Sequence, residues 1–211
     1  MRWWLPPLLS CQVVACSSND GIDFPETLGL LETNRAPAID DDGLPEVIVF
    51  ASGNDDGRHW AHARAYVHGT PDEVYDALHE PKVLVDRREI DEWTVTWDTV
   101  PRFDMSLTLH QTVHDVIKVE YDTTWAVERQ QLDAIGLERF AAQWDKTDGT
   151  AFIDLLAGSM VATRASADVT ELQMVTWLEA TLRDDETLKS YLRDLHGDIV
   201  AKVAGESLPS Y

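Results

Sequence analysis

Residues 63–86 constrain the fold of this chain more than any other stretch. ARAYVHG reads as a short strand, TPDEVYDALHEP as a helix with a marked start and stop, and KVLVD as a second, shorter helix. Thr70 is placed to cap, Pro71 suits the first helical position, and Glu73 follows Thr70 at capping-box spacing. Val74, Ala77 and Leu78 form the apolar stripe. His79-Glu80-Pro81 ends the helix, because the residue before a proline avoids the helical region. Only strand-like runs follow, until one long helix at residues 185–204.

The strand runs show period-two alternation. In residues 91–98, Trp93, Val95 and Trp97 share one face. In 106–114, Leu107, Leu109 and Val113 oppose Thr108, His110, Thr112 and His114. In 116–125, Ile117, Val119, Tyr121 and Trp125 alternate with charged and hydroxyl residues. This pattern predicts an antiparallel sheet with one wet and one dry face. Residues 140–146 and 150–164 flank Thr147-Asp148-Gly149, a hairpin signal, and 169–180 make the last strand. The mixed patterns of 150–164 and 169–180 suit strands buried on both faces. Upstream, EVIVFA at 46–51, the turn cluster SGNDDG at 52–57 and a strand at 58–68 predict an opening hairpin. The connection 126–137 is long for a hairpin loop and is expected to be a lid or a short packed helix. In the closing helix, Leu188, Tyr191, Leu192, Leu195, Ile199 and Val203 form one stripe. Asp184 and Asp185 cap its start, and Lys189, Arg193, Asp194, Asp198 and Lys202 occupy its other face. Gly197 inside it costs about 1 kcal/mol relative to alanine.

A strand, two small helices, a run of strands and a final long helix resembles the START-like helix-grip superfamily, which includes lipid-binding domains and polyketide-cyclase and pollen-allergen-type relatives. The resemblance covers residues 58–205 and rests on element order and on the TPDEVYDAL segment. It implies an α+β fold in which a curved antiparallel sheet wraps a C-terminal helix, with the two short helices plugging one end. It also implies a cavity between sheet and helix, its mouth covered near residues 126–137.

Composition limits the partners. With 17 basic against 38 acidic residues, the formal charge is −21. Such a surface repels phosphate backbones, so no nucleic-acid partner is expected. At the N-terminus, Met1-Arg2 precedes an apolar run broken by Pro6-Pro7. LLSC at 8–11 and VVAC at 13–16 both resemble a bacterial lipobox, and Cys16 is the better lipidation candidate because cleavage before Cys11 leaves a very short signal. The expected organisation is a signal at 1–15, an acidic flexible tether at 16–44 and a helix-grip domain at 45–211. That implies a lipid-anchored protein of the bacterial cell envelope, or a secreted or periplasmic one.

No nucleotide loop, zinc-type cysteine pair, HExxH or nucleophile elbow occurs. No catalytic residue, metal site or cofactor is expected. His59 and His62 fall on opposite faces of a strand, and His110 and His114 are too far apart along theirs to share an ion. All four read as solvated strand histidines. Asp40-Asp41-Asp42 lacks calcium-loop spacing. The informative residues are aromatic: Trp93, Trp97, Tyr121, Trp125, Trp144 and Trp177 all fall on strands and are candidate cavity lining, with core packing as the plain alternative. Arg139 is the leading polar anchor, beside Asp154 and Glu179. The expected function is a membrane-tethered binding or carrier module for a lipid or another hydrophobic small molecule. The alternatives are a cyclase- or hydrolase-like enzyme and an interaction domain with a filled core.

Overall fold

A computed structural model describes residues 24–39, 43–114, 117–180 and 184–211. In chain order the elements are β1 (Ile48–Asp55), β2 (Arg58–Val67), α1 (Pro71–Ala77), α2 (Pro81–Leu84), β3 (Glu92–Trp97), β4 (Met105–His114), β5 (Lys118–Asp133), β6 (Gly136–Gly149), β7 (Ile153–Ser166), β8 (Val169–Ala180) and α3 (Asp185–Val203). The eight strands form one open antiparallel sheet in the order β1-β2-β8-β7-β6-β5-β4-β3. The long α3 lies against the concave face, and the two short helices stand beside it: this is the helix-grip fold.

Local chemistry sets the helix ends. The Thr70 hydroxyl accepts the Glu73 N–H at 3.3 Å, and the Glu73 carboxylate accepts the Thr70 N–H at 2.7 Å. This completes the predicted capping box, a device worth about 1 kcal/mol. Asp184 caps α3 by accepting the Thr187 N–H at 3.1 Å. Leu188, Leu192, Leu195 and Ile199 of α3 are buried against Ala63, Ala65 and Val67 of β2 and the Val74–Leu78 side of α1 within one apolar cluster. The alanines of β2 let the helix approach the sheet closely.

The charged face of α3 is partly enclosed. Asp194 and Asp198 are buried, because the segment after α3 folds back along the helix. The Tyr211 hydroxyl donates to Asp198 Oδ1 at 3.1 Å. The Tyr211 hydroxyl lies over Gly197, where an added Cβ would stand 3.4 Å from it, an ordinary contact distance.

The connection expected at 126–137 is neither lid nor helix. β5 runs on to Asp133, β6 starts at Gly136, and the two form a long hairpin whose end exposes Leu132 and Ile135. Bulges near Gln131 break the alternation there, which is why the residues did not read as strand.

Residues 24–39 depart most from expectation. Read as part of a flexible tether, they instead cross the outer face of the sheet as a strap. The Leu28 N–H donates to Glu128 at 2.8 Å, the Leu31 N–H to Ser159 Oγ at 2.9 Å, and the Asn34 amide to the Ala63 carbonyl at 2.8 Å. Phe24 packs edge-on to Phe103 at 5.9 Å, and Arg102 donates to the Phe24 carbonyl. Phe24 and Leu28 form a second apolar cluster with Ala126, Ala141 and Val161. The strap explains the mixed periodicity of the central strands, which are covered on both sides. It also overturns the solvated reading of His62. That ring is fully buried, accepting the Arg35 N–H at Nδ1 (2.8 Å) and donating from Nε2 to Glu32 (2.9 Å).

Candidate functional site

Between α3 and the sheet lies a cavity of about 260 Å³. Strand alternation builds its floor. Val119, Tyr121, Thr123 and Trp125 of β5 point inward, flanked by Gln111 and Val113 of β4, Trp144 of β6, Leu156 of β7 and Leu178 of β8. Leu188 and Tyr191 of α3 form the roof, and Leu84, Asp86 and Glu89 close the side next to α2. Ile117 and Phe152, in the β4–β5 and β6–β7 turns, line the cavity and are also 45% and 44% exposed. They mark its open end.

The back wall is aromatic. The Trp125 and Trp144 indoles stack with centroids 4.4 Å apart and planes 18° from parallel. Tyr191 meets Trp144 edge-on at 6.3 Å. Gly158 makes room for this arrangement, because a Cβ there would stand 2.0 Å from the Trp144 ring. Trp144 Nε1 is buried and has no hydrogen-bond partner among the described residues.

Two groups give the wall acid–base character. Burial pushes the Asp86 carboxyl up to about 6, although the Arg88 backbone N–H donates to it at 3.1 Å. Burial also pushes the Tyr191 phenol well above its ordinary range, and the neighbouring Asp86 charge adds to the effect. The Tyr191 hydroxyl faces the Leu84 carbonyl at 3.4 Å. Among the described residues no lysine, arginine or histidine lines the cavity, and no group of three side chains suited to a metal ion occurs.

The aromatic candidates divide. Tyr121, Trp125 and Trp144 line the cavity. Trp93 and Trp97 have the expected inward parity but sit on β3, the edge strand, outside the cavity. Trp97 is 39% exposed and stacks on His79 at 6.3 Å. Trp177 lies on the outer face, where its indole donates to Glu32 at 3.0 Å. Arg139 precedes the inward Phe140 and so points outward, away from the cavity. Asp154 is exposed, and Glu179 pairs with Arg58 at 3.5 Å. Cys16 and Asp40-Asp41-Asp42 lie outside the described residues. Sequence reasoning missed Asp86 and Tyr191. The signal for Asp86 was its position directly after the helix pair expected to plug the sheet; Tyr191 had been counted in the helix stripe.

No family model matches the chain, and no curated protein matches its sequence. Solved structures do match in fold. The human StarD13 lipid transfer and protein localization domain superposes with TM-score 0.52 at 10% identity, covering 88% of this chain and 92% of that one. A STAR-related lipid transfer protein from Xanthomonas axonopodis gives 0.50 at 11% identity, covering 84% and 97%. The Zhui aromatase/cyclase from Streptomyces sp. R1128 gives 0.46 at 12% identity, covering 70% and 92%.

Proposed function

We propose that this protein is a binding or carrier module for a lipid or another hydrophobic small molecule, tethered to a membrane through Cys16. The observation that carries the reading is the cavity itself: a space between α3 and the sheet with a stacked-indole wall, open at the Ile117 and Phe152 end. At about 25 cal/mol per Å² of apolar surface, a ligand burying about 300 Å² gains about 7.5 kcal/mol before ordering costs. That gross gain approaches the roughly 8.2 kcal/mol of 1 μM binding, and ordering costs make the net affinity weaker than that. Two of the structures similar in fold are named as lipid-transfer proteins, which points the same way.

Native mass spectrometry of the purified protein tests the binding. A co-purifying apolar molecule, displaced by added ligand with a shift in tryptophan emission, is the expected result. A mass equal to the bare chain and no emission change across a panel of apolar ligands would overturn it. The tether is supported by VVAC at 13–16 and by the short span, residues 17–23, between Cys16 and the strap. Labelled fatty acid should enter the wild-type protein in a bacterial host but not Cys16→Ala. Firm attachment needs more than one chain on that residue. Equal labelling of the two proteins would remove the tether.

One observation favours a second reading, a cyclase- or hydrolase-like enzyme: Asp86 lines the cavity with its carboxyl pushed toward neutrality, as a general acid or base requires. Turnover that disappears in Asp86→Asn while ligand binding persists would establish it.

A further inference from the structure

Asp86 is followed directly by two arginines, and neither serves it from the cavity side. Arg87 forks onto Asp198 of α3 with hydrogen bonds of 2.6 and 2.7 Å. Arg88 binds Asp194, one turn earlier on the same helix. The Tyr211 ring lies against both guanidinium groups, at 4.8 and 4.5 Å. These contacts commit both cations to α3. The Asp86 carboxyl is left in the cavity wall, where the Arg88 N–H donates to its Oδ1 at 3.1 Å. Nothing cationic among the described residues shares that wall.

A desolvated carboxyl gains most from a donor supplied by the ligand, and a cationic donor gives about twice the strength of a neutral one. A ligand carboxylate at the same place would set like charges side by side in a medium that screens them poorly. Given the binding reading above, we propose that the cavity takes an amphiphile whose polar end is a hydrogen-bond donor, an amine or a hydroxyl, seated on Asp86. Free fatty acids and phosphate-ended lipids are disfavoured. The polar end sits between α2 and α3, and the chain lies along the Trp125–Trp144 wall.

Three probes of matched chain length test this on the full chain: decylamine, decanol and decanoate, each displacing an apolar fluorescent reporter in physiological salt. Decylamine should bind at least about tenfold more tightly than decanoate, with decanol between. The chain's overall charge of −21 attracts any amine from a distance. Asp86→Asn changes that charge by one and separates the local effect from the general one. In it the gap should shrink to about threefold or less, with decanoate gaining and decylamine losing. Asp86→Ser should behave alike and serves if the asparagine variant melts early. Binding of all three probes with no rank order, or a rank order unchanged by both variants, overturns the proposal and leaves the cavity reading standing. Displacement by none of them overturns both.

Discussion

On the concave side of the sheet, large side chains face α3: Trp125, Trp144, Met160, Leu172 and Met174 are buried there, and an open cavity remains among such residues. On the convex side the same strands present Ala126, Ala141, Gln143 and Ser159, with His62 of neighbouring β2, and a strap of extended chain lies flat on them. The concave side is held by packing of apolar volume, which is non-directional and tolerates a gap lined by indoles. The convex side is held by hydrogen bonds with assigned partners, such as Asn34 to two strand carbonyls, Glu32 to His62 and Trp177, and Gln143 to the Gly29 carbonyl. One side is thus suited to admit a variable guest. The other is suited to hold one fixed segment.

Truncation should separate the two sides most sharply. Leu192 is fully buried beneath α3, so Leu192→Ala should lower stability by about 2–5 kcal/mol in urea denaturation. A loss under about 1 kcal/mol would mean that α3 does not carry the concave side. On the convex side, Asn34→Ala removes the donor to the Ala63 and Met174 carbonyls and the acceptor of the Ala36 N–H. A loss of about 1–3 kcal/mol is expected, with limited proteolysis newly cutting within residues 24–39 while α3 stays protected. Cleavage appearing first in α3 would break the assignment.

Acid should act on His62 and Asp86 in opposite senses. Burial lowers the His62 pKa, and the hydrogen bond from the Arg35 N–H occupies the nitrogen that a second proton needs. The unfolded chain therefore takes that proton more readily, so this contribution is intact above about pH 6.5 and declines as the pH falls below it. Glu32 follows at lower pH. Burial raises its pKa, but the bonds from Trp177 and His62 outweigh this and leave it lowered. Asp86 runs the other way. Its folded pKa of about 6 exceeds its unfolded value, so stability from this group falls as the pH rises toward and through 6. Hydrogen exchange from pH 7 to 5 should show the Arg35 amide losing protection while the β4 and β5 amides around the cavity do not. Uniform loss would sink the contrast. Trp177→Phe should have the smallest effect: about 0.5–1.5 kcal/mol from the lost bond to Glu32, with apolar probe affinity unchanged. A several-fold change in that affinity would place Trp177 in the binding path after all.

The concave side was legible in the sequence because its signals are periodic. Val119, Tyr121 and Trp125 alternate, Leu188 to Ile199 repeat at helical spacing, and the Thr70 capping box is a local pattern. The convex side was not. Glu32, Asn34 and Asn34's neighbours look like any polar linker, and their partners stand far along the chain. Strap and sheet each hide the other: residues that face the strap are small or polar, so β7 and β8 lose their alternation. Trp97 shows the limit of parity. It assigns a face, but whether a residue on that face meets the cavity depends on strand order, which places β3 at the edge.

The strap also bears on the order in which the chain can assemble. Glu32 and Trp177 are 145 residues apart, and Asn34 and Met174 are 140 apart. At about 5–20 residues per second, translation completes β8 roughly 7–30 s after the strap segment has been made. Throughout that interval the strap has no finished surface to dock on, although its sequence is already outside the catalytic centre of the ribosome. The segment made earliest among those described is therefore among the last to find its place. A nascent chain halted before β8 should leave residues 24–39 open to proteases and to any partner that recognises an extended segment.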